Sequence, residues 1–172
     1  MKYLVISDTH GYTGIAEAIL KKLHPKLKGV IHLGDYESDA IKLGQLYPDL
    51  ELMYVRGNNR SLKDSPRRLI KKIGGKTLLM SHGHEQGVYY DLSRIWYSAR
   101  EAEADAALFG HTHISCCLIQ DGILLFNPGS VSLPRAGGPS YGVLDFSNNS
   151  ISASILEMDA ESNLQLTKNI II

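Results

Sequence analysis

The chain has only two cysteines, no net charge and no long apolar run. Each shortage excludes something. Cys116 and Cys117 are adjacent, and neighbouring strand residues point to opposite faces, which does not suit a disulfide staple. A reducing, cytoplasmic setting is therefore expected. No apolar stretch approaches the roughly 20 residues that a membrane-crossing helix needs. The opening Met1-Lys2-Tyr3-Leu4-Val5-Ile6 meets Asp8 and His10 at once, without a long apolar region or a small-residue cleavage site. It does not read as a signal peptide. The balance of 18 basic against 18 acidic residues argues against a dedicated nucleic-acid binder. The charge is uneven, though: Arg56 to Lys76 holds eight Lys or Arg and one acid, Asp64. That stretch reads first as a solvated face and second as a patch that steers an anion.

What is present is ordinary for a globular protein, with 44% hydrophobic and 21% charged residues over a 172-residue length that fits a single domain. No repeat, linker or low-complexity tract interrupts it. Met1 to Ser7 reads as a strand buried on both sides, because Tyr3-Leu4-Val5-Ile6 barely alternates. A helix follows, capped by Thr13 and carrying Ile15, Ala16, Ile19, Leu20 and Leu23 on its apolar face, and it stops before Pro25. Gly29 to Leu33 is a second strand. A second helix, capped by Ser38, runs through Ile41, Leu43 and Leu46 to Pro48, and Leu50 to Val55 is a third strand. This is the rhythm of a parallel sheet covered by helices. Strands around Arg67–Ile73 and Lys76–Met80 come next, divided by Gly74-Gly75, then a helix over Asp91–Glu103 with Leu92, Ile95, Trp96 and Ala99 on one face. Ala106 to Phe109 is a short buried strand. The remainder alternates like antiparallel strands, with Asp121-Gly122 as a hairpin turn.

Nearly every central strand ends in a residue able to bind metal: Asp8 and His10, Asp35, Asn58, His82, then His111 and His113. Side chains two apart on extended chain leave the same face, so His111 and His113 are expected to project together. In open α/β sheets the carboxyl ends of parallel strands form the ligand crevice, which gathers these donors on one edge. Mixed oxygen and nitrogen donors suit Mn, Fe, Zn or Ni better than Mg or Ca. Seven are too many for one tetrahedral ion but suit two ions sharing a carboxylate, about 3.5–4 Å apart, a device for hydrolysing phosphate esters. Any one of these residues has a plainer role as a helix cap, a turn former or a satisfied histidine. All seven together do not. His24 reads as exposed, His32 as a satisfied core histidine, and Trp96 as core.

The order Asp-x-His, Gly-Asp, Gly-Asn, His-Gly-His, Gly-His-Thr-His closely resembles the calcineurin-like metallophosphoesterases, most of all their small single-domain bacterial and archaeal phosphodiesterase branch. The resemblance runs from Asp8 to Ser130, and the Asn127-Pro128-Gly129-Ser130 loop is typical of that branch. It implies an α/β fold, a four-layer α/β/β/α sandwich with metals at the strand ends. By position, Asp8, His10 and His113 would hold one divalent ion and Asn58, His82 and His111 the other, with Asp35 bridging. Manganese is the first expectation, with nickel, zinc or iron as alternatives. A water shared by the two ions would attack phosphorus.

The chain departs from the branch at one place. After Gly57-Asn58 the family usually continues with Cys or His and then Asp, whereas Asn59-Arg60 stands here. Asn59 can donate a hydrogen bond and Arg60 can steady a phosphate oxygen, so both are substrate-contact candidates. His84, on the face of His82, is then the candidate proton donor to the leaving group. The expected partner is a small phosphodiester, not nucleic acid or a membrane, and a homo-oligomer is compatible with all of this. A phosphomonoesterase or nucleotidase of the same fold, and a non-catalytic scaffold of the retromer-subunit type, are the alternatives.

Overall fold

The computed structural model describes residues 1–59, 64–159 and 163–172; Arg60 lies outside them. The elements are β1 (Lys2–Ile6), α1 (Gly14–Leu23), β2 (Gly29–His32), α2 (Glu37–Leu46), β3 (Glu51–Tyr54), β4 (Arg68–Ile73) and β5 (Lys76–Ser81). After these come α3 (Ser93–Glu101), β6 (Ala106–Leu108), β7 (Cys116–Gln120), β8 (Ile123–Asn127), β9 (Ser140–Ser147), β10 (Ser150–Met158) and β11 (Leu164–Ile171). They form two sheets, ordered β11-β10-β9-β1-β2-β3 and β4-β5-β6-β8-β7.

The sheets face one another, and the lack of alternation in β1 shows how. Tyr3 and Val5 point to the inter-sheet core with Ile31, Met53, Leu78, Met80, Leu124 and Phe126. Leu4 and Ile6 point the other way, against Ala16, Ile19 and Leu20 of α1 and Leu43 of α2. On the far side of the second sheet, Leu79, Ala107 and Leu125 meet Ile95, Trp96 and Ala99 of α3. Helices, sheet, sheet and helix therefore stack as the α/β/β/α sandwich. No helix among the described residues is long and apolar enough to cross a membrane.

β1, β2 and β3 run parallel, as their helical connections require. The second sheet departs from expectation. β7 and β8 form an antiparallel hairpin through Asp121-Gly122, both at positive φ, but β8 lies parallel to β6, and β6 parallel to β5. Each sheet thus presents three parallel strand ends, and the donors come from both sheets, not from one crevice.

Two helix starts also differ. α2 begins at Glu37 behind a left-handed Tyr36, with Ser38 already inside the first turn. Gly34, Asp35 and Tyr36 all have positive φ, so the chain reverses sharply after β2 and swings Asp35 inward before the helix starts. Leu46 is exposed, leaving Leu43 and Ala40 as the buried apolar face of α2. Thr13 precedes α1, but its hydroxyl donates to Glu17 Oε1 and caps no backbone N–H. Beyond α1 the chain continues through a 3₁₀ turn, His24–Lys26, with Pro25 in it.

Candidate metal centre

Five loops at the carboxyl ends of β1, β2, β3, β5 and β6 converge where the two sheets meet. Asp8, His10, Asp35 and His113 bring one ligand atom each to within 4.8 Å of one another. His10 Nε2 lies 3.2 Å from His113 Nε2 and 3.5 Å from Asp35 Oδ2. On the other side of the same carboxylate, Asp35 Oδ1 lies 3.4 Å from His82 Nε2, which is 3.1 Å from Asn58 Oδ1. The His111 ring packs against His82 with centroids 5.1 Å apart. Asp8, His10, Asn58, His82 and His113 thus lie around Asp35, with His111 against His82.

The local backbone does not follow the extended-chain argument for His111 and His113. Both are left-handed, at φ 68 and 58, as are Asp8, His10 and Asp35. Non-glycine residues there carry a backbone cost of order 1–3 kcal/mol each, and such strain concentrates where a site needs the geometry.

Hydrogen bonding fixes which nitrogens face the cluster. His82 Nδ1 and His113 Nδ1 lie 2.7 Å from the carbonyl oxygens of Leu33 and Leu133. A carbonyl only accepts, so each Nδ1 carries the proton and each Nε2 offers its lone pair inward. His82 Nε2 then faces the acceptor oxygens of Asn58, Asp35 and Asp8. Asp8 is fully buried, and its Oδ1 has no hydrogen-bonding partner although His113 Nε2 is 3.3 Å away. Two buried carboxylates among inward-facing lone pairs repel unless positive charge lies between them. The residues therefore fit divalent cations. Burial opposes ionisation of Asp8, but the adjoining His113 and His82 outweigh it and hold its carboxyl below the usual range. Burial opposes protonation of His113, but the negative charge of Asp8 beside it outweighs burial and raises its pKa. Burial, reinforced by neighbouring histidines, lowers His10, His84 and His111.

Several supports have no signal in the motif pattern. Asn58 N–H, Asn59 N–H and Asn59 Nδ2 all donate to the Asp35 carboxylate, at 2.9, 3.0 and 2.8 Å. The Asn59 side chain, expected at the substrate, is thus engaged by Asp35. Ser130 and Ser132 hydroxyls donate to the Asp8 carbonyl, and Asn127 Nδ2 donates to Gly110 O and Thr112 Oγ1. The Asn127–Ser130 loop flagged in the sequence therefore braces the β1 and β6 ligand loops. His84 stands 5.3 Å from His82, ring to ring, with its buried Nδ1 unpartnered.

His32 is a core residue, as expected. Gly34 N–H donates to its Nδ1 at 3.3 Å, so Nε2 carries the proton toward Thr9 Oγ1 at 3.1 Å, and that hydroxyl donates to Asp39 Oδ2 at 2.7 Å. Gly11 N–H donates to the same oxygen at 2.7 Å, which ties down the loop carrying His10. Full burial pushes the His32 imidazole down to about 4, against the pull of Asp8 and Asp39. It is neutral when folded, whereas the unfolded ring takes a proton near pH 6.5. Stability conferred by neutral His32 is complete above that pH and falls as pH drops toward about 4. Metal-free protein is expected to lose up to about 3 kcal/mol this way in urea titrations. His32→Gln is expected to lose less across that interval, and equal losses would show that His32 does not govern it.

Residues 1–149 match the family model described as the calcineurin-like phosphoesterase superfamily domain. The chain belongs to that superfamily. This phosphoesterase is 35% identical over 150 residues to the probable metallophosphoesterase YsnB of Bacillus subtilis, covering 86% of each chain. A 42-residue stretch, 24% of this chain and 23% of the relative, is 50% identical to the phosphodiesterase YfcE of Escherichia coli. The solved structure of YfcE superposes with a TM-score of 0.70 at 22% identity, over 99% of this chain and 98% of that one. Vps29 of Entamoeba histolytica, solved with zinc, superposes with a TM-score of 0.81 at 19% identity, over 99% of each chain. These two structural likenesses speak for the fold. The sequence family makes this a metallophosphoesterase domain, and the donor cluster is its candidate divalent-metal site.

Proposed function

We propose that this phosphoesterase hydrolyses small phosphodiesters with two divalent transition-metal ions held around Asp35, manganese first among them. One observation carries the reading: the two Asp35 oxygens face two different donor sets. Oδ2 looks toward His10, within the group that includes Asp8 and His113, and Oδ1 toward His82, beside Asn58 and His111. When bound, a pair of divalent ions supplies a nucleophile from water at neutral pH and offsets charge on the phosphoryl oxygens. The chain's own contribution is position. Leu33 and Leu133 carbonyls lock the two imidazoles, and the Asn58-Asn59 backbone holds Asp35 against rotation. In this reading His84, whose ring lies 5.3 Å from that of His82, passes a proton to the departing oxygen. Its lowered pKa leaves it mostly neutral at pH 7, so good leaving groups, which need little protonation, are favoured.

The name of YfcE supports a diester over a monoester substrate. Vps29 with zinc shows that this fold takes metal in a protein named for sorting, so metal content alone cannot separate enzyme from scaffold. Turnover must be read. Metal-stripped protein, reloaded with manganese, nickel, zinc or iron, is assayed on bis(p-nitrophenyl) phosphate, p-nitrophenyl phosphate and cyclic nucleotides. About two equivalents are expected to bind, and diester hydrolysis to vanish with chelator and return with manganese. Binding at 100 times the dissociation constant adds about 2.7 kcal/mol, which raises Tm by about 5–10 °C. In a series of aryl diesters, His84→Ala is expected to steepen the dependence on leaving-group pKa. A protein without metal, or with activity indifferent to chelator, ends the reading; monoester turnover above diester turnover transfers it to the monoesterase alternative.

A further inference from the structure

The loops after β5 and β8 meet beside the donor cluster. Arg135 Nη1 donates to Tyr89 Oη at 2.6 Å, with the guanidinium carbon 5.4 Å from the Tyr89 ring centre. The Arg135 backbone N–H donates to His113 O at 3.1 Å, so this latch is anchored on a donor loop. The Tyr89 ring stands edge-on to His111 with centroids 6.1 Å apart. Tyr89 also walls a cavity of about 320 Å³, together with Tyr90, Phe109, Thr112 and Ile114. Thr112 is the residue between His111 and His113, so the cavity lies against a donor loop, with the Tyr89 ring between it and His111.

Its chemistry is distinctive. Tyr89 is 52% and Tyr90 92% exposed, so aromatic surface is left in water beside the donors. Exposed apolar surface next to convergent polar groups marks a ligand site, and the volume lies at the lower end of the ~300–1,000 Å³ range for small molecules. Among the described residues the only charged one lining it is Asp91, which disfavours a second anionic group there. A cavity bounded by aromatic faces and one carboxylate suits an uncharged flat ring.

We infer that this cavity receives the non-leaving substituent of the phosphodiester, an aromatic ring of aryl or nucleobase size, and that Tyr89 determines this specificity. The inference rests on the phosphodiesterase reading above. Arg135 holds the Tyr89 hydroxyl, so the ring is presented to the ligand already ordered, which cuts the entropy lost on binding.

The test separates the spectator group from the chemistry. p-Nitrophenyl phenyl phosphate and p-nitrophenyl methyl phosphate share one leaving group and differ only in the substituent that stays. Wild type is expected to prefer the phenyl ester about 10-fold in kcat/KM, an effect typical of one aromatic contact plus its buried area. Tyr89→Ala is expected to shrink that preference to about 2-fold or less, Tyr89→Phe to keep most of it, and Tyr97→Ala on α3 to leave it unchanged. Calorimetry with phenylphosphonate and methylphosphonate, which have no ester to cleave, reads the same preference without turnover. A phenyl preference in binding that Tyr89→Ala removes sustains the inference even if no diester is hydrolysed, an outcome that would sink only the phosphodiesterase reading. Hydrolysis of both diesters with equal efficiency, or a preference that survives Tyr89→Ala, overturns the inference and leaves that reading standing.

Discussion

Asp35→Asn is expected to lower diester turnover by at least about 10²-fold while leaving the metal-free fold intact. The size follows from what a divalent site contributes, several kcal/mol of charge stabilisation, at 1.36 kcal/mol per tenfold in rate. An amide keeps one acceptor oxygen but loses the negative charge that faces both His10 and His82. The fold survives because the amide oxygen can still accept from Asn58 N–H and Asn59 N–H, the two bonds that now reach Asp35 Oδ1. The new NH₂ would then face the Asn59 amide, and a flip of Asn59 restores a donor-to-acceptor pair.

Metal-free stability sharpens the expectation. Asp8 and Asp35 are both buried and bring ligand atoms within 4.8 Å of each other, so without cations their charges repel. Removing one of them is expected to leave the Tm of the chelated protein unchanged or slightly higher. The rise of Tm with manganese should shrink or vanish in the same variant. Turnover near wild type would show that Asp35 is not the shared ligand. A collapsed chelated Tm would show that its charge is needed by the fold instead.

The candidate donors were legible because each stands two to five residues past the last apolar residue of a strand, and the sequence can show where a strand ends. β1 illustrates this: four consecutive buried side chains, Tyr3 to Ile6, then polar residues. The two-sheet division was less legible. β8 looks like half of a hairpin because Asp121-Gly122 dictates its pairing with β7, whereas its parallel pairing with β6 depends on a partner across a longer separation. Left-handed backbone at His111 and His113 was hidden for a similar reason. Spacing describes extended chain, while the turn is held by a bond from a distant strand end, the His111 N–H donating to Asp8 Oδ2. The hold of Asn59 on Asp35 carries no local signal either, because the two residues meet only where the loops after β2 and β3 lie side by side. Asp39, which anchors Thr9 and Gly11, carries no motif at all.

Gly57→Ala is expected to be the most disruptive small substitution near the site. A Cβ at Gly57 would stand 2.0 Å from Asp35 Oδ1 and 2.3 Å from the Asp35 backbone nitrogen. The second contact decides the matter, since a side-chain tip can rotate away and a backbone nitrogen cannot. The segment cannot retreat freely either. Gly57 N–H donates to buried Glu37 Oε1 at 2.6 Å, and the next two N–H groups hold Asp35. On the other side Gly34 packs so tightly that its own Cβ would lie 2.7 Å from His82 Nδ1. Two glycines thus let the ends of β2 and β3 close around the Asp35 carboxylate. Overpacking of this kind costs about 1–3 kcal/mol, or roughly 2–12 °C in Tm for a chain of this size. A shift of Asp35 by about 1 Å is enough to lose about 10²-fold in rate. Gly44→Ala in α2 is the control: its Cβ would meet Leu52 Cδ2 at 2.7 Å, the mobile end of a side chain. Helix propensity gains about 1 kcal/mol there, which offsets the adjustment, so stability and activity should stay near wild type. Thermal melts with and without manganese, alongside diester turnover, distinguish the two glycines. Wild-type metal uptake and turnover in Gly57→Ala would mean that the β3 loop is slack and that Asp35 is positioned by something other than this close approach.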